Sequence, residues 1–295
     1  MKSGFVAVVG RANAGKSTLI NVMVGEKVAI VSPKPQTTRD RILGVLTTEE
    51  YQIAFIDTPG IYQADNLLNS VMQKTTNDSC QDVDVILFVL DAHAGLSDTD
   101  KALVKKYSSL PVPTVLVLTK TDIMPESLLI SELKELAEEN LENVPVSARK
   151  NRNVKELLKV IVDKLPEGDK IFEQDIVSDR SERFMVSEIM REKILLKFDK
   201  EIPHGVAIII NEFSLRKDKK VFDVSLDIVC EKSNHKAILI GKGGKAIREV
   251  SSFAREDMEK FLGKKVFLTT YVKVKEDWRN SASLMREYGY GENNK

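Results

Sequence analysis

Short runs of uninterrupted apolar residues recur along the first half of the chain, at Phe5–Val9, Ile53–Ile56, Val85–Leu90, Val115–Leu118 and Val144–Val146. Each has the length of a strand, and a strand without polar alternation is buried on both faces. A helical pattern begins near Lys16. Others lie between the later runs, over about Ser97–Tyr107, Glu126–Asn140 and Asn153–Leu165. Strands alternating with helices predict a mostly parallel sheet covered on both faces. Ligands on such sheets bind at the carboxyl ends of the strands.

Pro166-Glu167-Gly168-Asp169 breaks the last of these helices, and the polar stretch that follows reads as a linker to Arg180. The pattern then changes. Ser181 is placed to cap a helix running to about Lys197, and strands follow at about Gly205–Phe213 and Val221–Val229. A short helix, His235–Ile240, is interrupted by Gly241-Lys242-Gly243-Gly244, and a long one continues to about Leu262. The last strand is Lys265–Val274. The expected division is an α/β domain over 1–166, a linker over 167–180 and a smaller α+β domain of order α-β-β-α-α-β over 181–295.

A length of 295 residues suits two domains, and 42% hydrophobic with 30% charged residues suits a folded chain rather than a disordered one. The apolar runs fall far short of the roughly 20 residues that span a bilayer. Cys80 and Cys230 show no paired spacing, and His93, His204 and His235 show no ligand spacing, so neither a disulfide nor a histidine metal site is expected. The neutral total hides an asymmetry. Residues 215–295 hold 18 Lys and Arg against 12 Asp and Glu, a net of +6, which leaves the remainder at −6. A basic back half points to the C-terminal part as the place for any nucleic acid.

The first apolar run ends in Gly10-Arg11-Ala12-Asn13-Ala14-Gly15-Lys16-Ser17-Thr18, which fits G-x-x-x-x-G-K-[ST] between a strand and a helix. Such a loop curls so that successive N–H groups face phosphate oxygens, and the helix behind it adds its positive end. Lys16 supplies a compact cation between phosphates, and the Ser17 hydroxyl is a ligand for Mg²⁺. After the second run come Asp57-Thr58-Pro59-Gly60, where Asp57 is placed to hold Mg²⁺ through water and the Gly60 N–H to reach a γ-phosphate. Thr119-Lys120-Thr121-Asp122 follows the fourth run. A carboxylate there accepts two bonds from the N1–H and N2–H₂ of guanine, a donor pair that adenine lacks. Ser147-Ala148 follows the fifth run, where backbone N–H groups meet the guanine O6.

In this order the segments resemble the small GTP-binding proteins, and Pro35-Gln36-Thr37-Thr38-Arg39-Asp40 completes the set. The resemblance implies that a threonine of this first switch closes on Mg²⁺ when the γ-phosphate is present. Thr38 is assigned that role, with Thr37 as the alternative. GTP or GDP and Mg²⁺ are the implied cofactors. Two residues depart from the pattern. Thr119 stands where the family has asparagine, so the bonds tying this loop to the phosphate loop are expected to weaken. Ile61 stands where Ras-like proteins place the glutamine that orients water, so hydrolysis is expected to be slow or to use another device. Asn13 matches an asparagine that in related GTPases helps hold K⁺ beside the phosphates; loop shaping is its alternative role. The catalytic set expected is Lys16, Asn13, Thr38 and Gly60.

In the second domain, Ile240-Gly241-Lys242-Gly243-Gly244-Lys245, with Ile238 before it and Arg248 after it, carries a G-x-x-G turn between helices. Within the α-β-β-α-α-β order this resembles a KH domain of the type-II topology, which lets a nucleic-acid backbone approach the turn. A GTPase domain followed by one KH domain is similar to the Era family of bacterial GTPases. Its further marks here are Asp179-Arg180-Ser181-Glu182-Arg183-Phe184 and Val272-Lys273-Val274-Lys275 with Trp278. The resemblance implies a monomer that binds 16S ribosomal RNA and acts in assembling the 30S subunit. It also implies a cytoplasmic location with some peripheral association with the inner face of the cell membrane. Three rivals stand beside it: an RNA-binding module with little or no turnover, a tandem-G-domain ribosome GTPase, and a P-loop ATPase or kinase. The single phosphate loop argues against the second, and Asp122 against the third.

Overall fold

The first four elements explain why the loops meet. In the computed structural model, which describes residues 1–61, 65–125, 127, 141–218 and 220–291, strand β1 (Lys2–Val9) runs into helix α1 (Lys16–Val24). It is flanked in the sheet by β3 (Tyr51–Asp57) and β4 (Val85–Asp91), both parallel to it. Outside β3 lies β2 (Ile42–Thr47), antiparallel. Outside β4 lie β5 (Thr114–Thr119) and β6 (Asn143–Pro145), both parallel. The sheet order is β2-β3-β1-β4-β5-β6. Pairings Val8↔Asp57, Asp91↔Thr119 and Leu118↔Pro145 bring the strand ends to one edge, so the segments that begin at Gly10, Asp57, Thr119 and Val146 share that edge.

Within each strand, alternate residues feed two cores. Val6, Val8, Phe55, Leu87 and Val117 pack with Leu19 and Ile20 of α1 and with Leu157 and Ile161 of α4 (Val154–Lys164). Ala7, Val9, Ile56, Phe88 and Leu118 pack with Val104 and Tyr107 of α3 (Asp98–Ser108). Both faces are therefore apolar, as the unalternating runs predict, and each buried Leu or Ile contributes about 1.5–3 kcal/mol over exposure. Strand β2 and helix α2 (Leu67–Asp78) were not expected from the sequence. The helix expected over Glu126–Asn140 lies outside the described residues but for Ser127.

The stretch 167–180, expected as a linker, is not a loose tether. The Gln52 carboxamide accepts from the N–H groups of Ile171 and Phe172 and donates to the Phe172 carbonyl. Val45 N–H donates to the Val177 carbonyl (2.8 Å), and Leu43 N–H to Asp179 Oδ1 (3.0 Å). The first compact unit accordingly extends to Asp179, and the second takes Arg180–Lys295 together with Ser32–Thr37 and Ala64–Val71.

In the second unit, α5 (Glu182–Lys197) starts at the Ser181 cap. A three-stranded sheet of order β7-β8-β9 follows, made of β7 (Ala207–Leu215), β8 (Val221–Cys230) and β9 (Lys265–Val274). β7 and β8 are antiparallel; β8 and β9 are parallel and joined through α6 (Ser233–Ile240) and α7 (Lys245–Leu262). One face of this sheet, with Phe222, Val224, Leu226 and Ile228, packs on Ile189 and Ile194 of α5 and on Val250, Ala254 and Met258 of α7. A terminal helix, α8 (Ala282–Glu287), follows Trp278, which is fully buried. The indole Nε1–H donates to the Gly205 carbonyl (2.9 Å), and the ring stacks on Tyr290. Trp278 is thus a packing residue. Within this unit the buried Arg191 donates to the carbonyls of Gln36 (3.3 Å) and Thr37 while paired to Glu188.

Candidate functional site

Three hydroxyl and carboxylate groups expected around a metal come together in the first unit. Ser17 donates to Asp57 Oδ2 (2.6 Å), Ser17 and Thr38 share a hydrogen bond (2.8 Å), and Thr38 reaches the same carboxylate oxygen (3.3 Å). The neighbouring Thr37 instead donates its hydroxyl to the Lys34 carbonyl (2.6 Å). Of the two threonines, Thr38 is the one whose hydroxyl lies beside Ser17 and Asp57. Asp57 is fully buried and its Oδ1 has no hydrogen-bond partner. An orphaned carboxylate oxygen beside two hydroxyls is an all-oxygen donor set that fits Mg²⁺. Burial pushes the Asp57 pKa above its ordinary range, against the bonds from Ser17 and Thr38 and the charge of Lys16. Burial also lowers Lys16 to about 8, against the opposing pull of Asp57. Both shifts mark charges held in a dry place where a cation and phosphates are the natural counter-charges.

The phosphate loop is shaped from inside. Asn13 has φ 65° and Gly15, at the start of α1, has φ 95° with no side chain capping the helix. The first N–H groups of α1 therefore face the loop rather than a cap. Lys16 Nζ donates to the carbonyls of Gly10 and Arg11, each at 3.0 Å. Ile61 N–H donates to the Gly10 carbonyl (3.1 Å), and Thr58 donates to Val8 O (2.8 Å). These bonds lay the Asp57–Ile61 segment along the loop. A Cβ at Gly60 would stand 2.6 Å from the Ala12 Cα, so only glycine allows this approach. The Arg11 side chain does not turn inward. Its guanidinium bonds Ser97 and Asp100 (3.1 Å each), the residues that form the capping box of α3.

Thr119 keeps a tie to the phosphate loop with a single hydroxyl donor in place of an amide. Its hydroxyl faces the carbonyl of Ala14 in the phosphate loop and that of Leu90 at the end of β4 (3.0 Å). The tie between the two loops is therefore kept by the hydroxyl. Lys120 has φ 59°, and its ammonium is fixed on Asp91 Oδ2 at 2.6 Å. Asp122 accepts from the Ser147 hydroxyl at 2.7 Å, and Ser147 accepts in turn from the Lys150 N–H (3.1 Å). The Ser147 bond is the first cause holding the Asp122 carboxyl below the ordinary carboxylate range. The carboxylate thus stays an acceptor, as recognition of a donor pair requires. The Ser147 N–H, expected at the guanine O6, is engaged by the Arg152 carbonyl at 3.2 Å. Thr18 and Thr121 lie in the same two segments, and Pro59 accepts a bond from Thr76 (3.0 Å). Reading the sequence did not find Asp91, Ser97 or Asp100. Nothing in their spacing announces a partner that is supplied by another strand end.

In the second unit the turn Gly241–Gly244 sits between α6 and α7, with φ 72° at Gly241, 59° at Gly243 and 76° at Gly244. A Cβ at Gly241 would meet that of Ala246 at 2.7 Å. Lys242 and Lys245 are exposed there, and α7 begins without a side-chain cap. Ile238 and Ile240 offer apolar surface beside the turn. Arg248 bonds the Gly243 carbonyl (2.7 Å), so it braces the turn itself. Among the described residues no cluster of His, Cys, Asp and Glu could hold a metal, and no helix is long and apolar enough to cross a membrane.

Comparison with known proteins gives two family matches. The 50S ribosome-binding GTPase family matches residues 5–120, and the KH domain family matches residues 201–279. GTPase Era of Clostridium kluyveri is 43% identical over 293 residues, covering 98% of this chain and 99% of its own. GTPase Era of Alkaliphilus metalliredigens is 43% identical over 292 residues, with the same coverage. Among solved structures, a tyrosine variant of Aquifex aeolicus Era bound to GDP and AlF4⁻ superposes with a TM-score of 0.95 at 38% identity, covering 99% of this chain and 100% of that one. The structure of Era with MgGDPNP and nucleotides 1506–1542 of 16S ribosomal RNA matches equally well, with the same score, identity and coverage.

Proposed function

The chain belongs to the Era family of GTPases, and from that premise we propose that it is a GTP-hydrolysing switch whose second unit binds the 3′ region of 16S ribosomal RNA during assembly of the 30S subunit. The observation that carries the reading is the meeting of Ser17, Thr38 and Asp57 at the phosphate loop, with Asp57 Oδ1 left without a partner.

Ser17, Thr38 and Asp57 hold Mg²⁺. The ion, when bound, supplies positive charge to the β- and γ-phosphate oxygens. Lys16 adds a second cation, and the α1 N-terminus and loop N–H groups fix the phosphates in place. Asp122, held ionised by Ser147, selects guanine. Gly60, pressed against Ala12, brings its N–H to the γ-phosphate. Ile61 has no group to orient water, and its N–H is engaged by Gly10. The geometry thus calls for another source of charge or positioning, and K⁺ at Asn13 is the one we favour.

The switch reading follows from chain continuity. Thr38 belongs to the metal site, and the preceding Thr37 belongs with Gln36 to the segment whose carbonyls Arg191 caps within the second unit. Closure of Thr38 on GTP is then felt by that unit. The rest of the reading is a monomer in the cytoplasm, with peripheral contact of the basic C-terminal part with the inner face of the membrane; the net +6 of residues 215–295 supports it. The rival of an RNA-binding module without turnover draws on Ile61, which has no group to orient water.

Crosslinking the full chain to cellular RNA and sequencing what is attached tests the partner; absence of 16S ribosomal RNA removes the assembly role. RNA affinity compared in GDP and in a non-hydrolysable GTP analogue tests the coupling, and equal affinities remove it.

A further inference from the structure

The Asp57–Ile61 segment is tied down near both ends and in the middle. Near its start Thr58 donates to the Val8 carbonyl of β1, and at its end the Ile61 N–H donates to the Gly10 carbonyl. Between them the Pro59 carbonyl accepts from the hydroxyl of Thr76, in α2, at 3.0 Å. Pro59 and Thr76 are both buried, Thr76 at 2% exposure. The same hydroxyl lies 3.1 Å from the Met72 carbonyl, one turn back in α2. It has one hydrogen and serves one acceptor at a time. The Met72 carbonyl is paired in any case by the helix ladder, which joins residues four apart. Among the described residues the Pro59 carbonyl has no other donor. A buried carbonyl without a donor is costly, so the Thr76 proton belongs on Pro59.

That bond has a consequence one atom group further on. The Pro59 carbonyl and the Gly60 N–H belong to one rigid peptide plane, and in a trans peptide they point in opposite directions. Holding the carbonyl on Thr76 therefore turns the Gly60 N–H away from α2. Gly60 itself lies against the phosphate loop, where an added Cβ would stand 2.6 Å from the Ala12 Cα and 2.7 Å from its nitrogen. The Gly60 N–H has no hydrogen-bond partner among the described residues. The chain alone does not set this plane. Pro59 fixes its own φ but not its ψ, and glycine on the other side offers little resistance to rotation. Packing does not explain Thr76 either. A buried side chain that only filled space in a helix would serve as well as valine, without a hydroxyl to satisfy.

We infer that Thr76 is a positioning residue for the γ-phosphate: by holding the Pro59 carbonyl it presets the Pro59–Gly60 peptide so that the Gly60 N–H faces the phosphates before GTP arrives. The inference rests on the reading of Gly60 given above. GTP has the phosphate that this N–H meets and GDP does not, so the Thr76 hydroxyl acts on the discrimination between the two nucleotides. Without it the peptide plane rotates freely, and GTP must order it on binding.

The test uses the full chain with Mg²⁺, and measures affinity for GDP and for a non-hydrolysable GTP analogue together with phosphate release from GTP. Thr76→Val keeps the shape and removes the donor. It is expected to weaken binding of the analogue by about five- to tenfold, the worth of one hydrogen bond, and to slow phosphate release by a similar factor. GDP affinity is expected to stay as in the unaltered chain. Thr76→Ala, which removes the hydroxyl without filling its space, is expected to do the same, and Thr76→Ser to restore both the affinity and the rate. Folding of each variant is checked by its thermal midpoint with GDP bound. Gly60→Ala, whose added Cβ pushes the segment off Ala12, is expected to lose the preference for the analogue entirely. If the Thr76 variants bind the analogue as the unaltered chain does, or lose GDP and the analogue in equal measure, Thr76 does not position the peptide and the inference is overturned. If Gly60→Ala also keeps its affinity for the analogue, the reading of Gly60 fails as well.

Discussion

Thr119 lends its hydroxyl to the Ala14 carbonyl, so the base-recognition loop is tied to the phosphate loop without the asparagine amide that the family places there. The hydroxyl also faces Leu90 O. It has one hydrogen, so it serves one carbonyl at a time, where an amide serves two at once.

Thr119→Val keeps the shape and removes the donor. One hydrogen bond to the buried carbonyls is then lost, a cost of about 1–3 kcal/mol. GDP affinity, measured by displacement of a fluorescent GDP analogue, is expected to fall about tenfold, which corresponds to ~1.4 kcal/mol. Thr119→Asn is expected to match or exceed the unaltered chain. A valine variant with unchanged affinity would show that the hydroxyl does not hold the loops together.

Asp122 and Ser147 act as a pair. Asp122→Asn replaces an acceptor with a donor opposite the guanine N1–H and N2–H₂, and GTP affinity is expected to fall on the order of 10³-fold. Xanthosine triphosphate, whose purine carries a carbonyl at C2, is expected to bind the variant better than GTP. Ser147→Ala removes the first cause of the lowered Asp122 pKa. A lowered pKa keeps the carboxylate ionised to more acidic pH than usual. Losing the bond therefore moves the acid limb of GTP binding to higher pH. An acid limb that stays in place after Ser147→Ala would break the link between the two residues.

The two buried charges at the metal site have opposite pH signs in the nucleotide-free chain. Asp57 is raised, so the folded state binds more protons than the unfolded one as pH rises through the window above the ordinary carboxylate value, and stability falls there. Lys16 is lowered to about 8, so between that value and its ordinary one the folded state binds fewer protons, and stability rises with pH. Asp57→Asn removes the ionisable group from this dry place. It is expected to raise the nucleotide-free thermal midpoint by about 2–4 °C while abolishing the further rise that Mg²⁺ adds to GDP. A variant that keeps the Mg²⁺ increment would place the ion elsewhere.

Much of this site was legible because its pieces follow strands whose ends the register aligns. Gly10, Asp57, Asp122 and Ser147 needed no knowledge of side-chain partners. Other features depended on residues far apart in sequence. The side-chain carboxamide of Gln52 turns an expected linker into part of the first unit, and no local pattern announces that. β2 was missed because an antiparallel edge strand with Gly44 in its middle gives no βαβ signal. Helix α2, Leu67–Asp78, was missed because most of its residues are polar. The Ser147 N–H, expected at the guanine O6, is taken by a turn that closes back on Arg152.

Trp278, one of the marks of the family resemblance, is fully buried and packs on Tyr290. Trp278→Phe loses the bond to the Gly205 carbonyl and leaves it buried without a donor, at about 1–3 kcal/mol. The second unit is expected to unfold at lower temperature, followed by near-ultraviolet circular dichroism. RNA affinity well below that temperature is expected to be unchanged. Loss of RNA binding in the folded variant would show that Trp278 does more than pack the second unit.

Asn13 carries the last open role at the phosphate loop. Its φ of 65° is a conformation that asparagine tolerates and most residues do not, which supports loop shaping. A K⁺ ligand needs the side-chain oxygen as well. Asn13→Gly separates the two, because glycine takes the same backbone conformation and has no oxygen to offer. Phosphate release is measured in K⁺ and in Na⁺ at equal ionic strength. The unaltered chain is expected to hydrolyse faster in K⁺. The glycine variant is expected to bind GTP normally and to hydrolyse it at the same rate in both salts. If K⁺ still accelerates the glycine variant, Asn13 only shapes the loop, and the charge that compensates for Ile61 comes from elsewhere.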